Sequence, residues 1–412
     1  MNLYIFNETR TGAVYGVGTY IRELTASLKN SDVNLCVINL NSDKRKIIIE
    51  QIDGIKYWFF PAPLLDQHKM QQQKQWELYH RNVVYLLQLY IKYKKNLIFH
   101  LNYNQKGQLA DELKKVFDCR IVTTIHYLDW CLQLSGNVHR FREILASEVN
   151  GQFDDVAMTI VESYRLEKKL FETVDCIICL SKHTQLILQH DYHIACNKIV
   201  VIYNGLTESR TVMNKMELLQ KYHFDDIPIL LFVGRLDDIK GLKYALRAFR
   251  DVLNTHLSCH FIIAGDGSFS VFMKECEDIW KYVTWTGLIG KDKLYDLYSI
   301  ADIGVMPSFH EQCSYVAIEM MMHGIPLIAS TSTGLKEMVE DGITGYHIPV
   351  KESPYKADID TRLLAEKILF LLQHPEERER IGQNARKRYE EHYLVDKFRK
   401  NMLNFYKSLF ME

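Results

Sequence analysis

Ile229-Leu-Leu-Phe-Val-Gly-Arg-Leu-Asp-Asp-Ile-Lys-Gly241 decides how this chain reads. Five apolar residues stop at Gly234, and a helical pattern begins at Leu242 after a loop carrying Arg235 and Lys240. A short apolar run that ends on a glycine reads as a buried strand delivering its loop to the edge of a sheet. The pattern then repeats. His260-Phe-Ile-Ile-Ala264 ends in Gly265-Asp-Gly267, Val283-Thr-Trp-Thr286 in Gly287, Ile303-Gly-Val-Met306 in Pro307, and Leu327-Ile-Ala329 in Ser330. A helical pattern follows each run. Such alternation predicts an α/β unit whose parallel sheet is covered on both faces.

Working outward, the first half carries the same alternation. Strands are expected over 3–6, 33–40, 96–101, 120–126, 175–180 and 199–203, with helices over 18–29 and 184–190. Asn204-Gly205 is a turn signal, and the polar stretch to Asp226 reads as an interdomain connection. The expectation is therefore two domains, 1–205 and 206–389, with a ligand cleft between them. The charged, aromatic stretch from Pro375 to Glu412 reads as helical. Long helical segments are also expected over 66–96 and 138–171. The first mixes Trp76, Tyr79, Tyr85, Tyr90 and Tyr93 with lysines and Arg81. An interfacial membrane helix has that pattern, and so does a surface helix with snorkelling side chains.

Bulk properties set limits. Of 412 residues, 47% are hydrophobic and 25% charged, as in a folded globular protein, and the formal net charge of −1 gives no basic field for nucleic acid. The cysteines are scattered, and the pair Cys176 and Cys179 lies in an apolar run without further ligands at metal spacing, so packing is expected there. Free cysteines suit a reducing cytoplasm. Residues 1–6 lack the pattern of a signal peptide, and no stretch approaches the ~20 apolar residues of a membrane span. The expected location is cytoplasmic, with peripheral contact at the inner membrane face left open.

The chemistry-bearing residues cluster at the expected strand ends. An arginine fork and a lysine point charge, Arg235 and Lys240, held near a helix start suit a diphosphate. Pro307-Ser-Phe-His-Glu-Gln-Cys-Ser-Tyr-Val-Ala-Ile-Glu319 begins after a strand and becomes an apolar helix. It carries Glu311 in its loop and Glu319 in a stretch that should be buried. A buried carboxylate needs donors, and a ribose diol supplies two.

These residues resemble a known family. Gly-Arg-Leu…Lys-Gly, Gly265-Asp-Gly267, Glu311 and Glu319 with seven residues between, His323-Gly-Ile-Pro-Leu-Ile-Ala329, Thr333-Gly-Leu-Lys-Glu337 and Asp341-Gly-Ile-Thr-Gly-Tyr346 match in order and spacing. Together they are similar to the retaining glycosyltransferases of family 4, the group 1 transferases. Tyr15-Gly-Val-Gly-Thr-Tyr20 looks like that family's glycine loop and Ile202-Tyr-Asn-Gly205 like its domain junction; 30–96 matches least.

The resemblance implies a GT-B fold of two Rossmann-like domains, their parallel sheets facing across a deep cleft. A final helix, about 390–412, is expected to rejoin the first domain. The resemblance assigns Arg235 and Lys240 to the donor diphosphate, Glu319 to the ribose and Glu311 to the donor sugar. Gly16, Gly18 and Gly234 would let backbone amides approach phosphate, and Gly287 and Leu288 would face the base. Ser314 and Tyr315, at the helix start, would join the nucleotide site, and His126 would lie by the donor sugar. Two positions depart from the pattern: Ser314 stands where glycine is frequent, and Tyr127 where an acid follows the histidine, with Asp129 as a candidate substitute.

The implied reaction is retaining transfer by front-face attack from a nucleotide-sugar to a hydroxyl acceptor. That acceptor is a glycan, lipid carrier, peptide or small molecule, in surface polysaccharide or glycoconjugate synthesis. UDP-sugar is the first expectation, with GDP- and ADP-sugars open. No metal and no other cofactor is expected, since the cations act on the diphosphate. Paired aspartates, Asp154-Asp155, Asp225-Asp226 and Asp237-Asp238, lack a strand-end Asp-x-Asp setting. Rival readings are a phosphorylase or epimerase of the same fold, or a non-catalytic nucleotide-sugar-binding subunit.

Overall fold

The computed structural model describes residues 1–8, 16–65, 69–104, 106–147, 154–209, 211, 213–255, 258–353 and 356–411, with 69 and 70 by backbone only. Tyr15, the start of 66–96 and the middle of 138–171 lie outside the described residues. Two compact units emerge. The first comprises Met1–Trp130, Ile144–Gly205 and Val395–Glu412; the second comprises Cys131–Glu143 and Leu206–Leu394.

The first unit holds β1 (Asn2–Glu8), β2 (Asn34–Ser42), β3 (Ile48–Ile52), β4 (Ile55–Pro61), β5 (Leu97–Leu101), β6 (Cys119–Ile125), β7 (Cys176–Cys179) and β8 (Ile199–Val201). They form one sheet in the order β3-β4-β2-β1-β5-β6-β7-β8. Around it lie α1 (Gly16–Leu28), α2 (Lys69–Tyr90), α3 (Gly107–Val116), α4 (Asp129–Gln133), α5 (Val138–Ser147), α6 (Asp155–Thr173) and α7 (Lys182–His190). Of these, α4 and α5 straddle the boundaries between the units. The central strands are apolar on both faces: Leu97, Ile98, Phe99 and Leu101 are all buried, as a sheet covered by helices requires.

The parallel-sheet architecture expected of this unit is present, with details the sequence reading did not give. The first sheet is not wholly parallel, because β3 pairs antiparallel with β4. Asp53 and Gly54 form the two-residue turn between them, at φ 50° and 80°. That pair of positive φ values closes a tight hairpin, and Asp-Gly is its strongest local signal. Within the helical 138–171 stretch the described residues form α5 and α6, with Asp154 accepting from the Ala157 amide at 2.7 Å to start α6.

The second unit holds a six-stranded parallel sheet of β9 (Ile229–Val233), β10 (His260–Ala264), β11 (Val283–Gly287), β12 (Ile303–Met306), β13 (Leu327–Ser330) and β14 (Gly345–Ile348). Its order is β11-β10-β9-β12-β13-β14. Its helices are α8 (Lys215–Tyr222), α9 (Leu242–Leu253), α10 (Phe269–Glu275), α11 (Lys291–Ile300), α12 (Tyr315–Met322), α13 (Leu335–Met338), α14 (Thr361–Gln373) and α15 (Pro375–Arg388). Strand order reverses between β9 and β12. Ligands of open parallel sheets lie beyond the strand carboxyl ends at such a switch point. The loops there are 234–241 and 307–314.

The helical tail is interrupted. Tyr389–Tyr393 wind as a π turn before α16 (Val395–Ser408), which packs with the first unit. Phe398 meets Tyr20 edge-on at 5.6 Å, and the Tyr406 hydroxyl bonds Nδ1 of buried His100 at 2.6 Å.

Candidate functional site

In the second unit, the loop after β9 is shaped by a cap and a close approach. Asp237 caps a 3-10 turn by accepting from the Lys240 amide at 3.2 Å and also pairs with Arg235 at 3.0 Å. Gly241 sits at φ 69°, and a Cβ there would lie 2.0 Å from the Pro307 carbonyl oxygen. Only glycine permits that contact, which joins the two switch-point loops. The Phe309 amide donates to the Ile239 carbonyl at 2.7 Å and holds the same junction.

That junction brings Lys240 to Glu311. Lys240 Nζ lies 2.5 Å from Glu311 Oε1, with both side chains largely buried. Glu311 is fixed from the other side: its amide donates to Thr333 Oγ1 at 2.9 Å, and its carbonyl accepts from Gly334 N and from the Thr333 hydroxyl. Arg235, paired with Asp237, is 42% exposed by side chain.

Ser314 is the N-cap of α12 and is buried, its hydroxyl facing the Ala317 amide. Tyr315, beside it, is buried too. One turn on, Glu319 is 4% exposed. The sequence pointed to a ribose as its partner, yet the protein already supplies two donors. Tyr298 donates to Oε2 at 2.8 Å and Lys291 to Oε1 at 3.0 Å. Burial and the neighbouring Glu319 raise the Tyr298 phenol well above its ordinary pKa, so it remains a donor. Lys291 escaped the sequence reading; its signal was a basic residue opening the helix after Gly287-Leu-Ile-Gly290.

The strand-end glycines interlock. Gly234 N donates to the Ala264 carbonyl at 3.0 Å, and Gly265 N to the Gly287 carbonyl at 3.1 Å. A Cβ at Gly287 would meet nothing within 4 Å, and Leu288 beyond it is 61% exposed. No group of three or more metal-ligating side chains occurs among the described residues.

In the first unit, order reverses between β1 and β5. Gly16 opens α1, with Gly18 in its first turn, and a Cβ at Gly16 meets nothing within 4 Å among the described residues. Beyond β5, Asn102-Tyr-Asn104 ties neighbouring strand ends together. Asn102 Nδ2 donates to the Phe6 carbonyl at 3.0 Å, which turns its Oδ1 toward His126 Nε2, also at 3.0 Å. Since Oδ1 only accepts, Nε2 carries the proton and Nδ1 keeps its lone pair. Burial pulls the His126 pKa down to about 3, so the ring is neutral. Tyr20 packs edge-on at 4.7 Å.

Asn104 bonds the Tyr127 carbonyl and, at 3.2 Å, Oε1 of Glu167. Glu167, wholly buried on α6, also accepts from the Asp129 amide at 2.8 Å and pairs with the Tyr192 hydroxyl. Burial and nearby Asp129 push its pKa up to about 8. Asn102, Asn104 and Glu167 thus hold the 126–129 loop, and the sequence reading named none of them. The legible signal was the polar triplet directly after an apolar strand.

With this geometry in view, comparison with known proteins is informative. Residues 214–388 match the family model of glycosyl transferases group 1, and residues 14–210 that of glycosyltransferase family 4. An alpha-D-kanosaminyltransferase of Streptomyces kanamyceticus is 32% identical over 181 residues, covering 43% of this chain and 45% of that protein. The matched stretch thus spans about half the length of that relative. Sucrose-phosphate synthase from Thermosynechococcus elongatus superposes with a TM-score of 0.76 at 21% identity, over 99% of both chains. Anabaena HepE, solved in complex with UDP-glucose, superposes with a TM-score of 0.69 at 14% identity, over 99% of this chain and 100% of that one. Such low identities speak to fold alone. The paired family models, the two parallel-sheet units and the switch-point loops agree: the chain belongs to the group 1 glycosyltransferases and has the GT-B fold.

Proposed function

We propose that this glycosyltransferase moves a sugar, with retention at the anomeric carbon, from a UDP-sugar to a hydroxyl acceptor in surface polysaccharide or glycoconjugate synthesis. The observation that carries the reading is the Lys240–Glu311 pair at 2.5 Å beside the β9/β12 switch point, with Arg235 on the same loop. Two cations at that edge suit a diphosphate, and the N-terminus of α12 adds oriented amides. HepE, of the same fold, binds UDP-glucose, which favours uridine as the base.

In this reading the donor diphosphate meets Arg235 and Lys240, and Glu311 orients the lysine and accepts from sugar hydroxyls. The ribose diol reaches Glu319 by displacing Lys291 from Oε1, while Tyr298 holds Oε2. The backbone at Gly16, Gly18 and Gly234 approaches phosphate, Ser314 and Tyr315 present the helix start, and Gly287 and Leu288 border the base. His126 offers Nδ1 as an acceptor to a sugar hydroxyl.

As the bond from C1 to the diphosphate oxygen breaks, negative charge grows on the diphosphate and is stabilised by Lys240 and Arg235. The acceptor oxygen bonds C1 on the same face, and its proton passes to the departing phosphate oxygen. Cationic side chains neutralise the leaving group, so a chelator should leave turnover intact. The stereochemistry is tested by following the first product from a UDP-α-sugar by proton NMR. An α product supports retention; a β product appearing first overturns it.

A further inference from the structure

Glu319 on α12 is held by two donors of unlike character. Tyr298 donates to Oε2 at 2.8 Å and is 1% exposed. Its ring packs against those of Tyr295 and His323, with centroids at 6.2 and 5.1 Å. His323 is anchored in turn, its Nδ1 donating to the Glu319 carbonyl at 2.8 Å. That donor is fixed. Lys291, which donates to Oε1 at 3.0 Å, is held less firmly: its side chain is 42% exposed, against 5% for Glu319. An ion pair with one partner so open to water is weak.

Lys291 also has a second partner within reach. Tyr295, one turn along α11, has its hydroxyl 3.5 Å and its ring centroid 5.6 Å from the Lys291 ammonium. A lysine that moves over an aromatic face keeps a partner for its charge. Its place in the helix favours such movement, because Lys291 is the first residue of α11, where the helix dipole disfavours a cation. Glu319 has no such freedom. With Lys291 swung aside, Oε1 is a buried carboxylate oxygen that requires another donor. A ribose diol brings neutral hydroxyls to that oxygen, and to bind there it must displace a charge-assisted bond.

From these contacts we propose that Lys291 competes with the ribose of a nucleoside diphosphate for Glu319, and so sets how tightly the nucleotide is held and how fast it departs. This rests on the donor-site reading above and adds to it a device for release. Arg235 and Lys240 on the diphosphate and Glu319 on the ribose hold the spent nucleotide by the same groups as the donor, and such uniform binding slows turnover when release limits it. Lys291, passing between Glu319 and Tyr295, takes back Oε1 as the ribose leaves.

The sign of the effect makes the test sharp. A lysine that merely attracted the diphosphate would weaken binding when removed, whereas a competitor strengthens it. The experiment is titration calorimetry of the full chain with UDP, GDP and ADP, each beside its 2′,3′-dideoxy counterpart. In Lys291→Met the preferred nucleotide should bind about tenfold tighter, the order expected of one hydrogen bond to a buried carboxylate, with little change for its dideoxy form. Stopped-flow dissociation should slow by about the same factor. Lys291→Arg, which keeps a cation beside Glu319, should stay near wild type. In a Glu319→Gln background, removing Lys291 should bring no gain. Lys291→Gln repeats the test with a smaller gain where the methionine variant folds poorly. Wild-type or weaker nucleotide binding by Lys291→Met, or an equal gain for the dideoxy form, would overturn the inference and leave the donor site standing. Binding of no nucleotide by the wild type would overturn the donor-site reading, and the inference with it.

Discussion

At the residue scale, the weight of the account falls on Lys240. Its ammonium is held by Glu311 within hydrogen-bonding distance and faces the place where leaving-group charge is proposed to form. Lys240→Ala should lower turnover by ~10²-fold, about 3 kcal/mol of transition-state stabilisation, with the fold retained. Steady-state kinetics with any active donor–acceptor pair checks this, and near wild-type turnover would contradict it. Single groups also set the pH response. His80, His100 and His126 are each pulled by burial from 6.5 to about 3, so the folded state resists charging them. Their stabilisation is full above about 6.5 and is lost as pH falls toward 3. Glu167 acts in the other direction, because its pKa is raised from 4.5 to about 8. Its contribution is complete below about 4.5 and is lost as pH rises through 8. Urea titrations across that window should show stability falling toward alkaline pH in the wild type and a flatter profile in Glu167→Gln.

At the element scale, two joints are open to test. Gly241→Ala puts a methyl against the Pro307 carbonyl at a positive φ, and the clash is with backbone, so the loops must part. A loss on the order of 3 kcal/mol is expected in chemical unfolding. Tyr406→Phe leaves Nδ1 of buried His100 without the hydroxyl that bonds it at 2.6 Å, at a cost of about 1–3 kcal/mol. Thermal melts of both variants check these figures. Elements were also where legibility in the sequence varied most. Strands that stop at glycine or proline were readable to within a residue or two, since an apolar run buried on both faces has few alternatives. The β3–β4 hairpin was not read, although Asp53-Gly54 announced it, because the Ile48–Ile52 strand is mostly exposed and its pattern is weak.

At the scale of the whole molecule, both units repeat one device. Each is a sheet whose strand order reverses, and each gathers polar side chains at the carboxyl ends beside the reversal. In the second unit the sequence singled out Arg235, Lys240, Glu311 and Glu319 by their spacing at strand ends, and the fold brings Lys240 to Glu311. In the first unit Gly16, Gly18 and His126 were named, but the residues that hold the 126–129 loop were not. Asn102, Asn104 and Glu167 work through backbone and ring positions that only the folded chain brings together, and sequence spacing carries no trace of those contacts. The chain belongs to the group 1 glycosyltransferases, while the reaction, donor, acceptor and stereochemistry are the proposal made for its site.

The central claim is that the second unit holds a nucleotide diphosphate on Arg235 and Lys240. The measurement that tests it most directly is thermal unfolding of the wild type and of Lys240→Ala with saturating UDP, and with GDP and ADP as controls. At a hundred times its dissociation constant, a nucleotide stabilises the fold by ~2.7 kcal/mol. The account predicts a clear rise in Tm for the wild type with UDP and little or none for Lys240→Ala. No rise with any nucleotide, or an equal rise in the variant, would contradict it.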